Sequence, residues 1–156
     1  MRLSVNGRSR ELAVAPFESL ATTLRERLHL PGTKLACERG ECGACTVLID
    51  AIPVYACLAL TMACEGRDVT TIEGLAPPDG LHPVQRAFLA HDAVQCGFCT
   101  PAQVLSAVAL LARSPAPSDS EIMRAMSGNL CRCGTYPKIV QAVHAAARDL
   151  ATANER

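Results

Sequence analysis

The sequence predicts an α+β protein made of a small β-sheet part followed by a wholly helical part. Two observations predict this order: alternating and β-branched segments typical of strands come first, and apolar residues with helical spacing follow. A turn-rich break at Ala76-Pro77-Pro78-Asp79-Gly80 separates the two patterns. With 156 residues, 49% of them hydrophobic, the chain can build two small domains. We therefore predict domains at 1–76 and 77–156.

The first part begins with a predicted β-hairpin over residues 2–14, because the strong turn signal Asn6-Gly7 separates two alternating segments. An amphipathic helix is predicted over 18–28 and should stop before Pro31-Gly32. Its apolar face is Leu20, Leu24 and Leu28.

Further strands complete the predicted sheet. The β-branched run 46–49 should be a buried strand, a short strand should carry Cys57, and residues 69–72 should form another. A hairpin, a helix and further strands on one small sheet are compatible with a β-grasp fold.

Four helices are predicted beyond the break, and together they should form a small four-helix bundle. Pro83 can occupy a first helical position, and a capping box at 100–103 begins a second helix at Thr100. A second capping box at 118–121 opens a third helix, and Pro137 opens the last one.

A first cysteine set stands in the predicted sheet part with the spacing C-x4-C-x2-C and a fourth cysteine after eleven intervening residues. This spacing is that of a plant-type ferredoxin [2Fe–2S] site. Gly40 and Gly43 suit a loop that needs positive φ and backbone amides close to sulfur. A zinc site is the alternative, but zinc sites usually have two close CxxC-type pairs. The set is Cys37, Cys42, Cys45 and Cys57.

A second cysteine set lies in the predicted links between helices. Thiolate clusters are stabilised there by the positive ends of helix dipoles and by free backbone amides. Four thiolates can bind either a second [2Fe–2S] cluster or a structural zinc ion, so the local spacing leaves both alternatives open. A catalytic CxxC redox pair is a weaker alternative, because the βαβ pattern expected around such a pair is missing. The set is Cys96, Cys99, Cys131 and Cys133. Cys64 is left over and should be a buried free thiol.

Composition excludes several classes of function. Fifteen basic and fifteen acidic residues cancel, aromatic residues make up 3% and tryptophan is absent, which argues against nucleic-acid binding. An odd count of nine cysteines fits a disulfide framework poorly. No signal peptide and no membrane-spanning apolar run are apparent, so we expect a cytoplasmic protein without membrane insertion.

Three stretches of the sequence carry a specific family resemblance: 40–47 (GECGACTV), 95–101 (QCGFCTP) and 128–133 (GNLCRC). With them the chain resembles the small iron–sulfur subunit of the molybdenum hydroxylases, the family of xanthine oxidase, aldehyde oxidase and carbon monoxide dehydrogenase. The resemblance extends from the hairpin to about residue 150. It implies a ferredoxin-like N-terminal domain, a C-terminal four-helix bundle and iron in both cysteine sets.

The resemblance also implies roles and partners. The first cysteine set would hold the cluster distal to molybdenum, and the second set would hold the proximal one. Gln95 would contact the pterin of a molybdopterin-type molybdenum cofactor bound in a partner large subunit, and Cys133 would lie against the same pterin. Electrons would leave to FAD in a partner medium subunit or to another acceptor such as a cytochrome.

The segment after Cys133 departs from the order Thr-Gly-Tyr found in many family members. This chain reads Gly134-Thr135-Tyr136-Pro137, which resembles the branches that oxidise isoquinoline, nicotinate and aldehydes. We therefore expect the complex to act on an N-heterocyclic aromatic compound or an aldehyde. No residue of this chain is predicted as a catalytic acid, base or nucleophile.

Two rival functions follow from the same residues. One is a free-standing two-cluster ferredoxin-like carrier, although such carriers are often strongly acidic and this chain is neutral. The other is a zinc-stabilised interaction module with no redox role.

Overall fold

The structure is a computed structural model that describes residues 1–154, so residues 155 and 156 of the predicted second domain lie outside the described part. Within residues 1–154 the architecture is mixed, with a five-stranded sheet and a short helix in the first part and four longer helices in the second. This agrees with the predicted α+β class. No helix in the described range is both long and apolar enough to cross a membrane.

The sheet has five strands: β1 (Arg2–Val5), β2 (Arg8–Glu11), β3 (Thr46–Ile49), β4 (Ile52–Tyr55) and β5 (Asp68–Thr70). Their order in the sheet is β2-β1-β5-β3-β4. β1 pairs in parallel with β5, and the other neighbouring strands are antiparallel.

The predicted hairpin is confirmed as β1 and β2, although its second strand ends at Glu11 and not at residue 14. Asn6 and Gly7 connect the two strands with φ angles of 53° and 70°. Positive φ at both central residues is the requirement of a type I′ turn, which matches the twist of the flanking strands.

The predicted helix over 18–28 is shorter and less regular than expected. Ser19 caps α1 (Leu20–Thr22), and the chain then widens into a π-helical turn, Thr23–Arg27. Here the Thr23 hydroxyl lies 2.7 Å from Thr61 Oγ1, so this turn is tied to the segment beyond β4. Leu20 and Leu24 are fully buried, as the predicted apolar face requires.

Cys57 does not lie on a strand, which corrects the prediction. β4 ends at Tyr55, whose carbonyl accepts hydrogen bonds from the backbone N–H of Leu58 (3.0 Å) and of Ala59 (3.3 Å). These bonds close a tight turn, and a residue in such a turn cannot continue the ladder with β3. Cys57 is therefore presented by the turn.

The second part contains four helices, with starts close to those predicted. They are α2 (Pro83–Ala90), α3 (Thr100–Arg113), α4 (Asp119–Met126) and α5 (Tyr136–Asn154). The capping box of Ser118 and Glu121 is confirmed. The predicted capping box at 100–103 is wrong: the N-cap is Cys99, and the Gln103 amide instead donates to Asn129 O (2.8 Å).

Each part has its own core, and a third apolar cluster joins them. Leu48 of β3 packs against Leu105 and Ala109 of α3, and all three are buried. Burying one leucine side chain stabilises a fold by roughly 1.5–3 kcal/mol, so this contact holds the sheet against the longest buried helix face. The two cysteine sets are therefore carried by parts that pack directly on each other.

Candidate metal centres

The first cysteine set is brought together by a loop and by a strand pair. Three of its cysteines lie between the π-helical turn and β3, and the β3–β4 pairing carries the turn with Cys57 back to them: Ala56 N–H donates to Cys45 O at 3.2 Å. Thiol neighbours are Cys37 with Cys42 and Cys45 with Cys57. All four thiols also lie close enough to Tyr55 to raise its pKa, after the larger effect of burial.

The loop aims its backbone amides at one of these thiols. Glu41 N–H and Cys42 N–H each donate to Cys37 Sγ at 3.4 Å. Backbone hydrogen bonds from Arg39, Cys42 and Glu41 lower the pKa of Cys37 to about 6. Hydrogen bonds to the charged form favour it, so the loop stabilises a thiolate before any metal is bound.

Positive φ angles at Glu38 (53°), Gly40 (77°) and Gly43 (68°) shape this loop. The two glycines were predicted; Glu38 was not, because a non-glycine residue carries no sequence signal for a left-handed conformation. A Cβ atom at Gly40 would collide with the Leu58 side chain, and one at Gly43 would collide with Gly128 O. The glycines therefore also allow close approach by Leu58 and by the second part of the protein.

The second cysteine set occupies two helix links, as predicted. Cys99 is the N-cap residue of α3, and Cys131 and Cys133 lie just before α5. The thiols of Cys96 and Cys133 are neighbours, and so are those of Cys99 and Cys131. The four thiols thus come from the N-terminal ends of two helices, where the helix dipole favours negative charge.

Thr135 stabilises a thiolate in this second set. Burial acts to raise the pKa of Cys131, but hydrogen bonds from the Thr135 hydroxyl and backbone outweigh it and lower the pKa to about 7. The Thr135 Oγ1 atom lies 3.2 Å from Cys131 Sγ. Burial raises the pKa of Cys99 to about 12, just as burial raises that of Cys45 to about 12 in the first set.

The thiols fit clusters that take two cysteines per iron. All nine cysteines are free, and Cys64 is the buried thiol that we expected. Within each set the thiols lie in two neighbouring pairs. A [2Fe–2S] cluster with four cysteine ligands binds two thiolates on each iron, so its site is built from pairs.

Gln95 and Cys133 line one surface depression of about 550 Å³, with Lys138 at its edge. Gln95 is exposed, and Cys133 is half-buried. The structure thus brings together the two residues that were expected to meet a partner's cofactor, and leaves both accessible.

A backbone hydrogen bond joins the first cysteine set to the segment that carries Cys131. Leu130 N–H donates to Cys42 O at 2.9 Å, and Leu130 immediately precedes Cys131. Tyr55 OH donates to Gly128 O at 2.7 Å, beside this contact. An apolar groove of about 360 Å³ lies over the junction and is lined by residues of both sets together with Phe98 and Leu130.

Sequence reasoning missed the polar residues of this junction. Asn129 is 2% exposed and makes hydrogen bonds to both parts of the protein, yet it was quoted only as one letter of a motif. Tyr55 and Thr135 were also given no role. The available signal was position, since Asn129 and Thr135 flank cysteines closely; their partners, however, were not readable from the sequence.

Known domain families match both parts. The family described as "2Fe-2S iron-sulfur cluster binding domain" matches residues 3–71, and the family described as "[2Fe-2S] binding domain" matches residues 71–144. The two matches cover the first and second cysteine sets respectively.

Similar whole proteins extend these matches. The "Aldehyde oxidoreductase iron-sulfur-binding subunit PaoA" of Escherichia coli K12 is 44% identical over 96% of this chain and 72% of its own length. The nicotine 6-hydroxylase small subunit of Paenarthrobacter nicotinovorans is 49% identical over 90% of this chain and 85% of its own.

Solved structures agree in fold. A chain of quinoline 2-oxidoreductase from Pseudomonas putida 86 superimposes with a TM-score of 0.92 at 43% identity, covering 100% of this chain and 98% of that one. In the aldehyde oxidoreductase of Desulfovibrio desulfuricans the TM-score is 0.93 at 44% identity over 97% of this chain, which corresponds to only 17% of that longer chain.

Proposed function

Because the chain belongs to the family of small iron–sulfur subunits of molybdenum hydroxylases, we propose that it relays electrons within such a complex. It would carry them from a molybdenum–pterin site in a partner large subunit to FAD in a medium subunit or to another acceptor such as a cytochrome. The observation that best supports this proposal is the hydrogen bond from Leu130, next to Cys131, to Cys42, because a relay needs two carriers held close together.

We propose that each cysteine set holds one [2Fe–2S] cluster, with Cys37, Cys42, Cys45 and Cys57 as ligands of the first and Cys96, Cys99, Cys131 and Cys133 as ligands of the second. The paired thiol contacts, the free state of all nine cysteines and the two domain matches support this assignment. Zinc in the second set is disfavoured by the same matches.

The residues of this chain would prepare both sites for a group that exchanges one electron at a time. Two amides near Cys37 and the hydroxyl of Thr135 stabilise negative charge on sulfur. Cys45 is buried and Cys99 is half-buried, and this desolvation raises the pKa of both thiols. No acid, base or nucleophile for substrate chemistry belongs to this proposal.

We propose that the second cysteine set faces the molybdenum–pterin partner. The exposed depression shared by Gln95 and Cys133 supports this orientation, because both residues remain accessible to a second chain. The first cysteine set would then face the electron acceptor.

The finer fold description is part of the proposal. The five-stranded sheet with a parallel β1–β5 pair and α1 packed on it supports a β-grasp, ferredoxin-like domain at 1–76. A separate core shared by the four helices supports a four-helix bundle at 77–156. The two domain-family matches, which meet at residue 71, support a boundary in this region.

The substrate of the complex is proposed to be an N-heterocyclic aromatic compound or an aldehyde, which would be bound by the large subunit. Relatives named for nicotine, quinoline and aldehyde oxidation support these two classes. A cytoplasmic location is supported by nine free thiols, because a reducing compartment keeps such thiols available for metal.

The deciding experiment measures iron, molybdenum and zinc per chain in the complex purified from its own host. About four irons per chain, with molybdenum in the same complex, are expected for two [2Fe–2S] clusters beside a molybdenum subunit. Iron without molybdenum would favour the free-standing carrier. Zinc in place of iron would overturn both redox functions.

A further inference from the structure

We propose that Asn129 is the positioning residue that holds the two cysteine sets at a set separation, and this proposal rests on the relay function above. Asn129 lies two residues before Cys131 and is almost fully buried between the two parts of the protein. None of its own atoms is a predicted metal ligand. Its amide acts through the backbone that carries the cysteines.

The amino group of Asn129 binds the first part of the protein. Its Nδ2 atom donates to Gly43 O and to Thr46 Oγ1, both at 2.9 Å. Gly43 follows Cys42 and Thr46 follows Cys45, so these bonds hold the loop next to two thiols of the first cysteine set. The Thr46 hydroxyl also donates to Gly43 O at 2.7 Å, which closes a small network.

The rest of Asn129 binds the second part. Its Oδ1 atom accepts from Ser106 Oγ of α3 at 2.7 Å, and its backbone carbonyl accepts from Gln103 Nε2 at 2.8 Å. Tyr136 OH lies 2.7 Å from the backbone nitrogen of Cys131, from which it accepts, and 3.4 Å from Asn129 O. The residue is thus held by α3 and by the start of α5.

The hydrogen-bond partners of Asn129 require an amide side chain at this position. Gly43 O can only accept a hydrogen bond, so the amino group of Asn129 must face it and the carbonyl oxygen must face Ser106. Both N–H donors and the side-chain acceptor are then satisfied in a buried position. Removing one partner would leave a buried polar group unpaired, which costs more than an exposed hydrogen bond is worth.

Asn129 also holds in place the backbone hydrogen bond between Leu130 and Cys42. Leu130 N–H reaches Cys42 O only if the 128–131 segment lies against the loop that Asn129 holds. Because an amide bridges two rigid parts here, a change in its bonds to the first part should move one cysteine set relative to the other. The separation of the two clusters is therefore expected to depend on the Asn129 side chain.

The test compares two variants of the full chain, loaded with iron and sulfide. Asn129→Asp loses both donors to the first part and places a carboxylate against Gly43 O, while its other oxygen still accepts from Ser106. Ser127→Ala removes an exposed hydrogen bond to Arg124 O two residues before Asn129, takes no part in the Asn129 hydrogen bonds, and is the matched control. The readout is the magnetic interaction between the two reduced clusters in electron paramagnetic resonance spectra, which reports their separation and not folding stability.

We expect Asn129→Asp to change or lose this interaction, and Ser127→Ala to keep that of the unaltered chain. An unchanged interaction in Asn129→Asp would overturn the proposal, and so would an equal change in both variants. If Asn129→Asp does not fold, Thr46→Val removes one acceptor of the Asn129 amide without changing side-chain shape, and must then alter the interaction. A wild-type chain that does not bind two clusters would overturn the proposed function itself, before any variant is compared.

Discussion

The two cysteine sets have the same ligands but are built by different local structures. The first set is wrapped by a loop with three left-handed residues, and backbone amides stabilise its thiolate at Cys37. The second set sits at the N-terminal ends of two helices, and the Thr135 side chain stabilises its thiolate at Cys131. The loop thus relies on backbone donors, whereas the helix links add the Thr135 hydroxyl to their backbone donors.

Both sets nevertheless divide their cysteines in the same way. Each contains a thiol with a lowered pKa, about 6 for Cys37 and about 7 for Cys131, and a thiol whose desolvation raises its pKa to about 12, Cys45 or Cys99. Thiols with a raised pKa are protonated at neutral pH, so their binding to a metal there should release protons.

The largest expected effect is the loss of one cluster while the other is kept. Cys42→Ser should abolish the first cluster and leave the second, because only the second part keeps four thiolates. Iron per chain should fall by half, with the visible absorption of one cluster retained. Cys64→Ser is the matched control and should keep full iron. Loss of both clusters in Cys42→Ser would show that the two parts do not bind metal independently.

Thiol labelling of the metal-free chain should distinguish the reactive thiolates from the protonated thiols within each set. At pH 7 the thiolate form dominates at Cys37 and is almost absent at Cys45 and Cys99, so iodoacetamide should label Cys37 about a hundredfold faster than these two. Cys96 is exposed, and a backbone hydrogen bond from Phe98 lowers its pKa, so it should lead in the second set. Peptide mass spectrometry measures the rates.

The pH dependence of this labelling has a definite sign. Because the pKa of Cys37 is lowered to about 6, its rate should stay high down to that pH and fall as the pH drops further. Equal rates at all four cysteines would contradict the structural account of both sets.

Replacing glycine by alanine should destabilise the protein more in the first cysteine loop than in the helix link of the second set. Gly43 and Gly97 both have positive φ, so alanine at either should cost about 1–2 kcal/mol through the backbone. At Gly43 the new Cβ also meets Gly128 O, whereas space is open at Gly97, and the collision should add roughly 1 kcal/mol or more. Urea unfolding measures both losses, and equal losses would argue against the close junction.

The smallest effect concerns the side-chain donor of the second set. Thr135→Val removes the hydroxyl near Cys131 Sγ with little change of shape, so the more negative, reduced state of the second cluster loses stabilisation. Its reduction potential should become more negative by up to about 59 mV, a tenfold change for one electron. Redox titration followed by electron paramagnetic resonance measures this, with the first cluster as internal control. A shift in the first cluster alone would contradict the assignment.

Local pattern predicted most of the fold. The Asn6-Gly7 turn, the strand over 46–49 and the capping box of Ser118 were read correctly, because each depends on neighbouring residues only. The capping box at 100–103 failed for the opposite reason: Gln103 binds Asn129, 26 positions away, and is not available to its own helix end. The helix after Ser19 was shortened by a similar distant tie at Thr61.

The sequence by itself determined the two cysteine sets, because ligand type and spacing along the chain are local properties that a cluster-binding loop must satisfy. Only the tertiary structure decided how the sets are joined. Asn129 meets Gly43 across 86 positions of sequence, and Tyr55 meets Gly128 across 73. No periodicity or turn rule encodes such pairs, since they arise when the β3 strand packs against α3 and brings the two parts of the protein into contact.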